Sequence, residues 1–246
     1  MKKYFQTPWG LRETIGITLL VFFLIIAALF ALSERANSQQ IITDPPFYFL
    51  LLTFATLWAI LLLPTTILTA LKHKLKAGDW GFRKFSVPRT LKVVLASYLL
   101  FHLINALVVT FMFYTNIQIP GYQAQELFLP IIGDDNTKLA ILGVMVVFIA
   151  PIIEEIFFRG FLFRSLTNHL SFLPATLISA FIFAASHLQF SVIIPIFILG
   201  LIINHLTYRT KSLWPAITFH ILNNAIVFTI EVLIIKGVIP LEQIVG

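Results

Sequence analysis

Apolar residues in this chain come in long unbroken runs separated by a few short polar stretches. Runs of spanning length occupy roughly 14–32, 47–71, 91–114, 139–158, 172–189, 190–206 and 213–235. At 1.5 Å rise per residue, about 20 apolar residues cross a hydrocarbon layer of about 30 Å. The runs are continuous rather than alternating, and backbone groups in lipid must be satisfied within each segment, so the runs read as helices and not as barrel strands. The pattern predicts an all-α fold: a polytopic transmembrane helical bundle of seven to eight spans. An eighth would come from 115–138, where Phe128 to Ile132 have the makings of a short re-entrant piece. The other sizeable polar segments are 33–46 and 72–90, the latter punctuated by Gly78, Gly81 and Pro88. Pro46, Pro64, Pro151, Pro174, Pro195 and Pro215 fall in or near the runs, where proline starts or kinks a helix. No internal repeat, low-complexity tract or heptad interrupts the pattern.

Composition agrees. Hydrophobic residues make up 59% of the 246 positions and charged residues 11%, with a mean hydropathy of +0.93. A soluble domain carries roughly 25% charged residues; this chain has too few to cover itself, so lipid must do so. The absence of cysteine removes disulfides, thiolate metal sites and a cysteine nucleophile. Charge adds an orientation. With the N-terminus in the cytoplasm, the inner segments hold Lys2, Lys3, Arg12, Lys72, Lys74, Lys76, Arg83, Lys84, Arg89, Lys92, Arg159, Arg164, Arg209 and Lys211, which is 14 of the 17 basic residues. The outer segments keep Arg35, Lys138 and Lys236. That bias is the positive-inside signature. It accounts for the net charge of +6 as topology and argues against nucleic acid as a partner. The expected setting is the plasma (cytoplasmic) membrane. Lys2 and Lys3 before an apolar run resemble a signal peptide, but the run exceeds the usual length of such a region, which favours a retained first span.

Ionisable residues at depth carry the chemical information in such a chain, because an unpaired charge in lipid costs several kcal/mol. His102 and Asn105, one turn apart, read as a helix-packing hydrogen bond, while Glu231, Asn204 and His205 lie near span ends and read as structural. The fourth run differs: it holds Glu154 and Glu155 side by side, followed by Arg159. Glu155 and Arg159 form an i,i+4 pair on one helix face, and Glu154 is turned about 100° away towards something else polar. Pro151 loosens the turn before it by removing the bond to the carbonyl of Val147. A structural Glu–Arg clip between helices would explain the pair alone. The next runs carry His187, then His220 and Asn224. Glu154 and His187 stand equally far from the turn centred near Leu170 and Ser171, so an antiparallel hairpin puts both on the order of 20 Å from its cytoplasmic end. His220 lies roughly 15 Å deep by the same reckoning. A carboxylate, two imidazoles and an amide at comparable depth can converge in one buried cavity.

The segment Glu154-Glu155-Ile156-Phe157-Phe158-Arg159 resembles the EExxxR signature of the CAAX protease and bacteriocin-processing family. Phe183 to His187 is similar to its FxxxH motif and His220 to Asn224 to its HxxxN motif, in the same order. The resemblance covers about 140–230. It divides one membrane domain into N-terminal helices with a basic loop (1–138), a protease-like core (139–235) and a short tail (236–246). It implies an intramembrane endopeptidase acting on a membrane-associated peptide or protein within the bilayer. In that reading Glu154 is the general base, His187 shares its water, and His220 and Asn224 donate to the oxyanion. Glu155 and Arg159 support the helix. The residue types leave two chemistries open: a metal-free glutamate protease, which is favoured, and a zinc site formed by Glu154, His187 and His220. Two other readings compete, a non-catalytic immunity or peptide-binding protein of the same fold and a transporter with a carboxylate–histidine relay. The second lacks the internal repeat expected of it.

Overall fold

The computed structural model describes residues 4–38, 47–122 and 133–240. The helices among them are α1 (Leu11–Ser38), α2 (Phe47–Leu71), α3 (Val87–Thr115), α4 (Asn136–His169), α5 (Phe172–Ala185), α6 (Ile193–Thr210) and α7 (Leu213–Ile235). The fold is all-helical with six helices long and apolar enough to cross a membrane, counting the short turn Phe190–Val192 with α6. The seventh apolar run supplies only α5, whose 14 residues reach about 21 Å, short of the roughly 30 Å of hydrocarbon. Among the described residues six helices have spanning length, against the seven to eight expected. The candidate re-entrant piece at Phe128 to Ile132 lies outside the described residues.

Two boundaries move for physical reasons. The fourth run was expected to stop at 158, before Arg159 and Arg164, yet α4 continues to His169. Arg159 is buried among neighbouring helices, and Arg164 beneath the N-terminal segment and the loop at Gly81, so their charges do not end the span. Conversely α5 stops at Ala185, where Ser186 and His187 form a turn and Leu188 adopts a left-handed φ of 54°. Helices α5 and α6 then run antiparallel in strict register. Phe172 packs on Tyr208 with ring centroids 4.3 Å apart, Asn204 Nδ2 donates to Thr176 O at 3.1 Å, and a Cβ built on Gly200 would lie 3.1 Å from Ala180 Cα. The closest approach is at Gly200, where no side chain keeps the backbones apart.

Helix α4 is not a uniform α-helix. It widens into π-type turns over Val144–Ile149 and Ile156–Phe163, irregularities that recur at functional sites. The Ala150 amide reaches back five residues to Met145 O. In that register residue 151 would serve the carbonyl of Val146, not of Val147 as α geometry predicts, and proline has no N–H to offer. Asn224 Nδ2 of α7 supplies the missing bond at 3.0 Å.

One end of the bundle gathers the N-terminal segment, the 72–86 loop, the α4–α5 turn and the α6–α7 corner. Trp9 packs against Trp80 and Phe161, and Phe5 against Phe163 and Tyr208. Leu213 N donates to Gly81 O at 2.9 Å, and the Thr14 and Ser165 hydroxyls bond each other. A Cβ on Gly160 would come within 2.9 Å of Trp80 O, so glycine is what lets this loop sit on α4.

Candidate active site

Adjacent carboxylates on α4 meet opposite surroundings. Glu155 is fully buried; its Oε1 accepts from Arg159 Nη1 at 2.7 Å and from His220 Nδ1 at 2.8 Å. Arg159, also fully buried, donates from Nε to Asn204 Oδ1 at 3.1 Å and from Nη2 to Gly200 O at 3.4 Å. Its guanidinium lies 4.3 Å from the centroid of Phe183. The charges of Glu155 and Arg159 balance inside the bundle, and the fork geometry of arginine spreads its donors over α4, α6 and a ring of α5. Thus the i,i+4 pair expected from the sequence is present, and it holds more than one helix.

Glu154 turns the other way. Its side chain keeps about 20% exposure, borders a cavity, and places Oε2 3.9 Å from His220 Nε2. That oxygen is buried and has no hydrogen-bond partner among the described residues. A separation of 3.9 Å is too long for a direct hydrogen bond and short enough for one water to touch both atoms. Because His220 Nδ1 faces the Glu155 carboxylate, that nitrogen carries the ring proton and Nε2 is aimed at Glu154 and the cavity.

His187 sits in the turn just beyond α5. Its Nδ1 donates to Phe183 O at 2.9 Å, which leaves Nε2 available, and the residue lines the same cavity. Asn224 also lines it; one amide hydrogen goes to Val146 O and the second is left for another acceptor. All four residues singled out by sequence therefore border one cavity of about 370 Å³, bounded by α2, α3, α4, α6 and α7. That size suits a small-molecule or peptide site, and the lining is mainly apolar with few polar groups. The nearest imidazole to Glu154 among the ion pairs of the structure is His220, whereas the equal spacing about the turn had pointed to His187.

Among the described residues no three His, Asp or Glu side chains lie close enough together to hold a metal ion, and this includes Glu154, His187 and His220, the ligands of the zinc alternative.

Several residues differ from their sequence reading. Asn204 was placed at a span end; α6 runs on to Thr210, so it lies about 9 Å inside the helix, buried between Arg159 and Thr176. His102 and Glu231 were expected apart from the cluster, and both line its cavity. His102 makes edge contacts with Tyr98 and Phe101, while its neighbour Asn105 does form the expected packing bond, accepting from Tyr122 Oη at 2.6 Å. Phe183, named only as a motif letter, is a hub touching Arg159, His187, His220 and Phe158.

Comparison with known proteins gives one match. Residues 136–226 match the family described as Rce1-like type II CAAX prenyl endopeptidase. No curated protein and no solved structure matches the chain. The matched stretch contains every residue of the Glu154, His187 and His220–Asn224 constellation, so the similarity to the Rce1-like family falls on the part of the chain that lines the cavity.

Proposed function

We propose that the protein hydrolyses a peptide bond of a membrane-associated peptide or protein, with a water activated by Glu154 and without a metal. The observation that carries this reading is the unpartnered Oε2 of Glu154, facing His220 Nε2 across 3.9 Å at the edge of the cavity. A water there gives one proton to the Glu154 carboxylate as its oxygen attacks the scissile carbonyl. The protonated Glu154 then passes that proton to the leaving amine, so the carboxylate is restored at the end of the cycle. His187 Nε2 helps hold the water. Asn224 donates its second amide hydrogen to the developing oxyanion, with the His220 ring beside it. Glu155 acts through His220, fixing its tautomer, and Arg159 holds the Glu155 side chain in place.

An apolar cavity sunk between helices admits a chain already held in the bilayer, so the substrate is a peptide with a membrane anchor. We assign the end bearing the 72–86 loop to the cytoplasm, on the strength of the basic residues gathered there. The N-terminus is then inside, in the plasma membrane. Reporter fusions at residue 80 and residue 125 should read cytoplasmic and external; the reverse pattern would reject this orientation.

The deciding experiment compares the termini of membrane peptides in cells carrying wild type and Glu154→Gln. The substitution keeps shape and removes the base, so turnover should fall by about 10²–10⁴-fold at unchanged abundance. Full turnover by the purified variant would sink the mechanism and favour a peptide-binding protein of the same fold.

A further inference from the structure

Away from the cavity, three cations meet at the loop-bearing end of the bundle with little to neutralise them. Arg164 of α4 is 3% exposed, and its Nε is buried with no hydrogen-bond partner. Its Nη2 reaches only the carbonyl of Gln6, at 3.3 Å. Arg83 and Lys211, both half-buried, flank the ring of Tyr4, with Arg83 Cζ 5.4 Å and Lys211 Nζ 4.1 Å from its centroid. None of the three takes part in an ion pair among the described residues. The carboxylate whose charge acts on Arg164 is that of Asp79, whose Oδ2 accepts from the Lys76 amide at 2.8 Å. Three positive groups thus face one carboxylate.

A buried guanidinium with an idle donor costs free energy unless an anion or acceptor completes it. Here the chain builds a cleft at that point instead of filling it. Arg164 and Lys211 both line a space of about 10 Å³ beside Gly81 and Ser212. Gly81 has φ +97°, and a Cβ there would lie 3.1 Å from Arg164 Nη1. Glycine therefore serves both the turn and the opening. The cleft has room for about one oxygen-sized atom.

We propose that this corner is an anion site that takes a phosphate group: one oxygen enters the cleft towards Arg164, and the others lie between Lys211 and Arg83. A tetrahedral phosphate directs its oxygens towards donors on several sides, whereas a carboxylate presents two oxygens in one plane. The source is either the headgroup of an anionic lipid or free phosphate. Occupancy would tie together the N-terminal segment, the 77–83 loop, α4 and the α6–α7 corner, which are the elements that converge there.

The test uses the full-length protein in nanodiscs and follows thermal unfolding. One arm compares pure phosphatidylcholine with discs containing phosphatidylglycerol; the other titrates inorganic phosphate onto phosphatidylcholine discs at constant ionic strength. Wild type should gain roughly 2–4 °C in at least one arm, and the arm that responds identifies the source. Arg83→Gln/Lys211→Gln should lose the gain, whereas Lys84→Gln/Lys92→Gln, which removes two exposed charges from neighbouring positions, should keep it. No gain in either arm overturns the site. An equal gain in the first double variant, or an equal loss in the second, reduces the effect to general attraction between basic residues and anionic surfaces and overturns it as well.

Discussion

Helices α2 and α3 and helix α4 look alike to a hydropathy scale and differ in everything else. Their most apolar windows have mean hydropathies of 2.1, 2.1 and 2.3, yet the share of residues buried in protein is 6% for α2 and α3 and 39% for α4. Hydropathy separates lipid from water; it does not separate lipid from protein, because lipid tails are as apolar as leucine. What marks α4 as an interior helix is its ionisable content. Glu154, Glu155, Arg159 and Arg164 would each be costly against lipid, and each finds either a neighbouring helix or the cavity. The polar residues of α3 point the same way on a smaller scale: His102 faces the cavity and Asn105 is tied to Tyr122.

The strongest attempt to break this contrast is Arg159→Ala. It removes every donor that Glu155 receives from its own helix and the bond to Asn204, leaving a buried carboxylate with only His220. Stability should fall by roughly 3–5 kcal/mol, read as lost abundance or a lowered unfolding midpoint in detergent. Turnover per folded molecule should fall too, since His220 loses its fixed partner. Wild-type stability in that variant would mean that the buried network does not hold α4 in place.

Gly160→Ala is a milder probe of the same interior. The added methyl meets the Trp80 carbonyl at 2.9 Å and Leu213 Cδ1 at 3.3 Å, and a backbone atom cannot step aside without moving its loop. Overpacking of this kind costs about 1–3 kcal/mol, measurable by the same unfolding experiment. No change would show that the 77–80 turn floats on α4 instead of being docked.

How far these contrasts could be read in advance depended on range. Helix positions followed from apolar runs, a local signal, and α2, α3 and α7 begin or end within a few residues of the expected places. The grouping of Glu154, His187, His220 and Asn224 on one cavity followed from depth along antiparallel helices, which needs only the turns. Errors arose where charge was taken as a mark of exposure. Arg159 and Arg164 seemed to end a span, and Asn204 to sit at another's edge, because nothing in sequence announces that a distant part of the chain will bury them. Partner choice was also hidden: His220 Nε2 lies 3.9 Å from Glu154 Oε2, a side-chain approach that depth along the helices does not encode. The length of α5 was misjudged because the apolar run continues through the turn at His187, where Leu188 is apolar but not helical.

The smallest expected effect is the sharpest control on the comparison. Leu99 of α3 is 70% exposed in the isolated chain, on a helix whose apolar window is almost wholly free of protein contact. In the bilayer its neighbours are lipid tails before and after any loosening of the bundle, so Leu99→Ala removes little that distinguishes folded from unfolded helices. The change should stay within about 0.5 kcal/mol and leave turnover as it was. Unfolding midpoints of wild type and Leu99→Ala in the same detergent or nanodisc check it. A loss comparable to that of Gly160→Ala would place this face of α3 against protein, for example a second copy of the chain, and the division between lipid-covered and interior helices would have to be redrawn around it.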